Sequence, residues 1–384
     1  MTGILRKFIR VETGDATRIF GLDIFRALAI FIVMFAHSSV LFTNFPMIIR
    51  KLLFFVPAHI GVDLFFVLSG FLIGSIIIKL VDSGKDFTLS TIKYFWIRRW
   101  FRTLPNYYLV LLSQLILVYV LLARIPLDLL HFFSFTQNFA SKQPPFFNEA
   151  WSLSVEEWFY FFFPLAMLGC KSLIPYNIST KATFLIVVSF FLISSLAARI
   201  IATLFFPMSL AKGMHAVVIF RMDSIMFGVL FAYLYYYFKL SMERYRKILF
   251  SVGLLLIILC VGNRVYNIIN NTEGFFVRTL YFSFCSFGMA CLLPSFISIK
   301  KEGSSTISRV ITHLSIISYS VYLIHNSIVF PIIHTEKPIM GNYVVNYFLF
   351  WLLTIIASTA LYNIYEKPMM SLREKFAGNL PKRE

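Results

Sequence analysis

The residues that invite a chemical reading are the ionisable side chains set inside long apolar stretches: Asp23, Arg26, His37, Asp63, Glu156, Glu157, Arg199, Arg221, Asp223 and His325. A charge in hydrocarbon costs several kcal/mol unless it is paired or hydrated, so each marks either function or a specific partner. An imidazole takes a proton near neutral pH and a carboxylate can orient it, which makes His37 with Glu156 or Glu157 a candidate general base and its partner. Neighbouring positions differ by about 100° round a helix, so the two glutamates cannot face one spot. Arg26 and His37 are separated by close to three turns and project from one helix face at opposite depths. A second cluster, Arg98, Arg99 and Arg102 around Trp100 and Phe101, carries forked donors that match phosphate oxygens.

Plainer readings stand beside these. Asp23 and Arg26, at i and i+3, can be an interfacial ion pair, and Arg199 can bond a neighbouring carbonyl. His37 alone can be a packing residue, and His325 reads as a network histidine. The arginines before the third apolar stretch can simply set topology. Gly70 and Gly74 form a GxxxG pattern, which favours close helix packing over a ligand role. Cys170, Cys260, Cys285 and Cys291 lack a CxxC pair and read as small apolar fillers, with no disulfide or metal site implied.

These residues need helices to position them, and the composition says in what medium. The chain has 384 residues, 59% of them hydrophobic and only 14% charged, whereas soluble proteins carry about 25% charged residues. That places it in a bilayer and excludes a disordered chain, a disulfide-stapled secreted domain and a nucleic-acid binder. A span needs about 20 mostly apolar residues, and such stretches fall at roughly 21–42, 54–80, 104–122, 152–173, 184–206, 216–238, 248–262, 275–297, 311–333 and 343–365. The expected fold is therefore all-α, an integral membrane protein of about ten transmembrane helices. Of the 35 lysines and arginines, 24 then lie on the side of the two termini and eight on the other. By the positive-inside rule both termini are cytoplasmic, and the net charge of +17 reports topology. The first apolar stretch is too long for a signal h-region and lacks a small-residue cleavage pattern, so it reads as a retained span. No long linker or repeat divides residues 1–384, which are taken as one membrane domain with a core at about 20–366. On this topology His37, Glu156, Glu157, Arg221, Asp223 and His325 share an outer slab, and the arginine cluster lies inside.

Seven strings in order resemble the membrane acyltransferase 3 family, of the bacterial polysaccharide and O-antigen O-acetyltransferase type. They are Gly21-Leu22-Asp23 through Arg26 to His37; Gly61-Val62-Asp63 through Ser69-Gly70-Phe71; Arg98-Arg99 through Arg102 to Pro105 and Tyr107; Trp151-Ser152-Leu153-Ser154-Val155-Glu156-Glu157; Arg221-Met222-Asp223; Ser318-Tyr319-Ser320 through Tyr322 to His325; and Tyr365-Glu366-Lys367-Pro368. Ala27 stands where many members have Gly, and Trp158 where many have Gln. The resemblance implies an enzyme of the cytoplasmic (inner) membrane. It would take an acyl group, acetyl above all, from cytoplasmic acyl-CoA to a hydroxyl of an extracytoplasmic glycan or lipid-linked saccharide. It implies His37, Glu156, Glu157 and Asp63 as the catalytic set, and Arg26, Arg98, Arg99, Arg102 and Tyr107 for the donor. Trp151, Ser152, Arg221, Asp223 and His325 would serve the acceptor. Direct transfer and an acyl-histidine intermediate both remain open. The chain ends at Glu384, so handover to a fused esterase-like domain is not expected. The segment from 124 to 150 offers Phe132, Phe133, Phe135, Phe146, Phe147, Gln137, Asn138 and Asn148, suited to a sugar or to the membrane interface alike. The rival classes are a multi-pass transporter and a polysaccharide polymerase or ligase, neither of which needs an acyl donor.

Overall fold

A computed structural model describes residues 18–42, 58–82, 87–123, 126, 128–173, 179–206, 213–270, 272, 274–301, 303, 305–334 and 342–376. Many of the basic residues that set the charge asymmetry, among them Arg6, Lys7, Arg10, Arg50, Lys51 and Lys337, lie outside these. Among the described residues every regular secondary-structure element is a helix. That is the expected outcome for a chain whose apolar stretches must satisfy their own backbone groups. The principal helices are α1 (Phe20–Ser38), α2 (Ala58–Asp82), α3 (Leu89–Leu122), α4 (Ala150–Leu173), α5 (Thr180–Phe205) and α6 (Met222–Tyr237). They continue as α7 (Arg246–Ile269), α8 (Tyr281–Ile297), α9 (Thr306–Ile324), α10 (Tyr343–Leu361) and α11 (Lys367–Phe376).

Among the described residues seven helical segments, those of α1, α2, α3, α5, α7, α9 and α10, are long and apolar enough to cross a membrane. The three others read as spans fall short for plain reasons. α6 and α8 have only 16 and 17 residues, and α4 carries both Glu156 and Glu157. Two boundaries move outward. α3 has 34 residues because the basic and aromatic run from Leu89 stays helical ahead of the expected start at 104. α7 extends to 24 residues, past the expected end at 262. The sixth stretch instead opens with two 3-10 turns, Met214–Ala216 and Val218–Phe220, before α6 begins.

α2 runs through the middle of the bundle, packed on α1 and α6. A Cβ at Gly70 would overlap the Ile225 carbonyl, and one at Gly228 would overlap that of Val67, so only glycine lets α2 and α6 approach this closely. Two buried ion pairs lock the same region. Arg221 pairs with Asp63 on α2, its guanidinium lying 3.9 Å from the Phe282 ring centroid. Arg199 on α5 grips Asp223 through two bonds of 2.9 and 2.7 Å and donates to the Thr279 carbonyl at 2.7 Å. All four charges are fully buried, so losing one partner would strand the other.

Candidate active site

Two cavities meet inside the bundle. The first, of about 100 Å³, is lined by Arg26 of α1, Arg99 and Arg102 of α3, Glu156 and Tyr160 of α4 and Tyr319 of α9. The carboxylate of Glu156 accepts from Tyr160 at 3.2 Å, and the Tyr160 hydroxyl lies 2.9 Å from that of Ser69 on α2. Asp23 takes a 2.5 Å bond from Arg18 and a 2.7 Å bond from Ser315, while Arg26 stands 3.9 Å away and donates to Ser315 at 3.2 Å. The expected Asp23–Arg26 pair is thus the weaker of Asp23's two ion pairs. Three guanidinium groups from two helices converge on one small space with a single carboxylate on its wall, which makes it a site for an anion.

The second cavity, of about 470 Å³, is lined by His37 of α1, His59 of α2, Lys142, Asn148, Glu149, Trp151 of α4, His215 and Asn326. Here the hydrogen bonds fix the tautomers. His325, fully buried, directs Nδ1 at the carbonyl oxygens of Val321 (3.0 Å) and Tyr322 (2.8 Å). Carbonyls only accept, so the His325 proton sits on Nδ1 and Nε2 is left with a lone pair. That lone pair faces His37 Nδ1 at 2.8 Å, with the two rings nearly parallel at 18°. His37 therefore donates from Nδ1, and its Nε2 carries the lone pair, with no hydrogen-bond partner among the described residues. The backbone supports this locally: at His325 α9 passes into a π turn, His325–Val329. The wider i to i+5 pairing there leaves the Tyr322 carbonyl available to a side chain.

Glu149, ahead of α4 and 3% exposed, accepts a 2.5 Å bond from Ser327 on that π turn. Its second oxygen, Oε1, has no partner among the described residues. Burial pushes this carboxyl up to about 7, against the opposing pull of the Ser327 hydroxyl. Tyr322 belongs to both cavities, as does Val62. Its hydroxyl is held by the Ser152 hydroxyl at 2.6 Å and the Glu149 carbonyl at 3.2 Å. α1 connects the two spaces as its spacing requires, with Arg26 on one wall and His37 on the other.

The remaining expected residues are placed elsewhere. Glu157 accepts a 2.7 Å bond from Thr103, tying α4 to α3. Tyr107 donates to the Phe132 carbonyl at 2.8 Å and Arg98 to the Tyr94 hydroxyl at 2.8 Å; neither reaches the arginine cavity. Asp63, Arg221 and Asp223 are spent in the ion pairs and line neither cavity. Within the 124–150 segment, Gln137 bonds Ser154 at 2.6 Å and Asn138 bonds the Trp151 carbonyl at 3.0 Å, so those amides anchor the segment rather than face the cavity. The sequence reading missed Glu149, His59 and His215. Glu149 lies outside every apolar stretch, and the two histidines sit near stretch ends, where a polar residue carries little cost. Among the described residues no group of three or more His, Cys, Asp or Glu is arranged to hold a metal ion.

Comparison with known proteins gives this geometry a family. A model described as an acyltransferase domain matches residues 19–363. "Putative O-acetyltransferase SACOL0978" of Staphylococcus aureus (strain COL) is 26% identical over 375 residues, covering 91% of this chain and 56% of the relative. The O-acetyltransferase OatA of Staphylococcus aureus (strain NCTC 8325 / PS 47) is 25% identical over 424 residues, covering 99% of this chain and 62% of the relative. "Putative peptidoglycan O-acetyltransferase YrhL" of Bacillus subtilis (strain 168) is 32% identical over 165 residues, 38% of this chain and 23% of the relative. The chain thus spans little more than half the length of the relatives it matches most fully. No solved structure matches. With the family model covering nearly the whole helical bundle and both of its cavities, the chain belongs to the membrane acyltransferase 3 family.

Proposed function

We propose that this chain is an O-acyltransferase of the cytoplasmic membrane, with about ten spans and both termini cytoplasmic. It moves an acyl group, acetyl in the simplest case, from cytoplasmic acyl-CoA to a hydroxyl on an extracytoplasmic glycan or glycolipid. Peptidoglycan, named for one relative, joins O-antigen and exopolysaccharide among the acceptors to test. The observation that carries the reading is the His37–His325 contact, which leaves a nitrogen lone pair without a partner on a side chain lining a cavity that shares a wall with the arginine cavity.

Arg26, Arg99 and Arg102 hold the phosphates of the donor at the arginine cavity. That space is too small for a nucleotide, so the adenosine stays at its mouth beside the exposed Arg102 while the thin pantetheine arm enters past Val62 and Tyr322. Glu156 keeps the arginine cluster aligned, a different task from orienting His37, which falls to His325. In the second cavity His37 Nε2 takes the acceptor's hydroxyl proton as that oxygen attacks the thioester carbon. The C–S bond breaks as the ester forms, and the proton passes from His37 to the leaving thiolate. Glu149 Oε1 accepts a hydrogen bond from a second hydroxyl of the sugar, and Trp151 offers it an apolar face.

The test uses the purified full chain in lipid nanodiscs with radioactive acetyl-CoA and peptidoglycan fragments or polysaccharide from cells lacking the gene. Label transferred to the glycan by the parent protein and not by His37→Ala supports the reading. Equal transfer by both removes His37 from the chemistry, and absence of acetyl-CoA binding removes the donor.

A further inference from the structure

His37 is not the only histidine on the wall of the larger cavity whose proton position the surroundings dictate. His59 lies in the first turn of α2, and its Nε2 stands 2.8 Å from the hydroxyl of Tyr281 on α8. Tyr281 is fully buried, and His59 is the one hydrogen-bond partner of its hydroxyl among the described residues. A buried phenol that did not donate would leave its O–H unmade, at a cost of about 1–3 kcal/mol. The Tyr281 hydroxyl therefore donates to Nε2, and the His59 proton sits on Nδ1. That nitrogen has no hydrogen bond among the described residues, in a side chain that lines the cavity.

The two histidines are held close by the backbone. A Cβ at Gly61 would lie 2.5 Å from the Ala29 carbonyl and 3.0 Å from the Val33 nitrogen. α2 thus touches α1 two residues after His59 and one turn before His37. The bundle fixes both imidazoles in the Nδ1–H tautomer but leaves a different nitrogen of each without a partner beside one space: His37 offers a lone pair at Nε2 and His59 offers a proton at Nδ1. Acyl transfer needs both, a base for the attacking hydroxyl and a donor for the charge that develops on the carbonyl oxygen.

We propose that His59 is a catalytic residue whose Nδ1–H donates to the oxyanion formed from the thioester carbonyl, and that Tyr281 is the positioning residue that fixes its tautomer. This rests on reading the cavity as the site of acyl transfer. As the acceptor oxygen bonds to the carbonyl carbon, its proton goes to His37 and the carbonyl π pair moves to oxygen, where His59 Nδ1–H receives it. Collapse restores the C=O bond and expels the thiolate, which takes the proton from His37. His59 keeps its own proton throughout, so no further reactant is required.

The test follows thiol release from acetyl-CoA by the full chain in nanodiscs, with chitotetraose as the acceptor probe. His59→Phe is expected to lower kcat by about 10²–10³-fold, the loss typical of one oxyanion donor, with KM for acetyl-CoA changed less than about twofold. His59→Asn, whose amide N–H lies near the position of Nδ1, should recover about tenfold of that loss. Tyr281→Phe should slow the parent protein by about fivefold and leave the His59→Asn variant unaffected, because an amide has no tautomer to fix. A merely structural role would give neither the recovery nor this dependence. Parental kcat in His59→Phe, or equal activity in the Asn and Phe variants, overturns the role of His59 alone. If His59→Phe loses acetyl-CoA binding through misfolding, the Tyr281→Phe comparison in the parent and His59→Asn backgrounds decides: equal slowing in both overturns the proposal. Absence of thiol release and of acetyl-CoA binding in the parent protein overturns the acyl-transfer reading itself, and the oxyanion role with it.

Discussion

The two cavities share Val62 and Tyr322 yet are built from opposite materials. One is small and walled by three guanidinium groups, which offer forked donors to an anion. The other is several times larger and lined by three imidazoles, amides, an indole, one buried carboxyl and one ammonium group, that of Lys142. A fixed charge binds well and reacts poorly, and an imidazole does the reverse. The partition of roles between the cavities can be broken experimentally, because each side should fail in its own kinetic parameter.

The largest catalytic loss is expected for His37→Ala, a fall in kcat of about 10³-fold with acetyl-CoA affinity retained, read by thiol release and equilibrium binding. Weakened donor binding there would erase the distinction between the cavities. A loss of similar size, but in stability, is expected for Arg221→Ala. Stranding Asp63 should cost about 3–5 kcal/mol by denaturant unfolding in detergent, while replacing both partners by apolar residues should recover much of it. That result would separate the buried pairs from the chemistry. His325→Ala should lower kcat by about 10²-fold and add little to His37→Ala, since it acts through His37; additive losses would give it an independent role.

On the arginine side, Arg99→Ala or Arg102→Ala should raise KM for acetyl-CoA by about tenfold with kcat nearly unchanged, the value of one charge-assisted hydrogen bond. The smallest effect belongs to Glu149→Gln, which should raise acceptor KM and leave donor binding alone. Its clearer mark is in stability. The Glu149 carboxyl is raised from an ordinary 4.5 to about 7 by burial, so ionising it is harder in the folded chain. The penalty is absent below the unfolded value, grows as pH rises through the gap and is complete above the folded one. The melting temperature of Glu149→Gln relative to the parent should therefore climb between about pH 5 and about pH 8, and a flat difference would mean an ordinary carboxyl there.

Much of this arrangement was legible before any coordinates. Apolar length located the long helices, and helical periodicity put Arg26 and His37 on one face, where they reach the two cavities in turn. The same geometry separated Glu156, on the arginine cavity, from Glu157, tied to Thr103. What the pattern could not carry is contact between distant positions. His325 reads as a network residue until its ring is seen 2.8 Å from a histidine 288 positions away. Asp63, Arg221 and Asp223 look like site residues because a buried charge announces importance without saying whether its partner is a substrate or another side chain. Glu149 escaped because it lies one residue ahead of α4 and draws its burial from the π turn of α9, which no local signal foretells.

On the proposed mechanism, a donor anchored by arginines in one cavity presents its acyl carbon to His37 in the other. The most direct measurement is an electron-microscopy structure of the chain in nanodiscs with a thioether analogue of acetyl-CoA that cannot be cleaved. Phosphates are expected within hydrogen-bond distance of Arg99 and Arg102, and the carbonyl carbon past Tyr322 with room for an acceptor oxygen about 3–3.5 Å from it beside His37 Nε2. Phosphates bound away from these arginines, or an acyl group that stops on the arginine side of Tyr322, would contradict it.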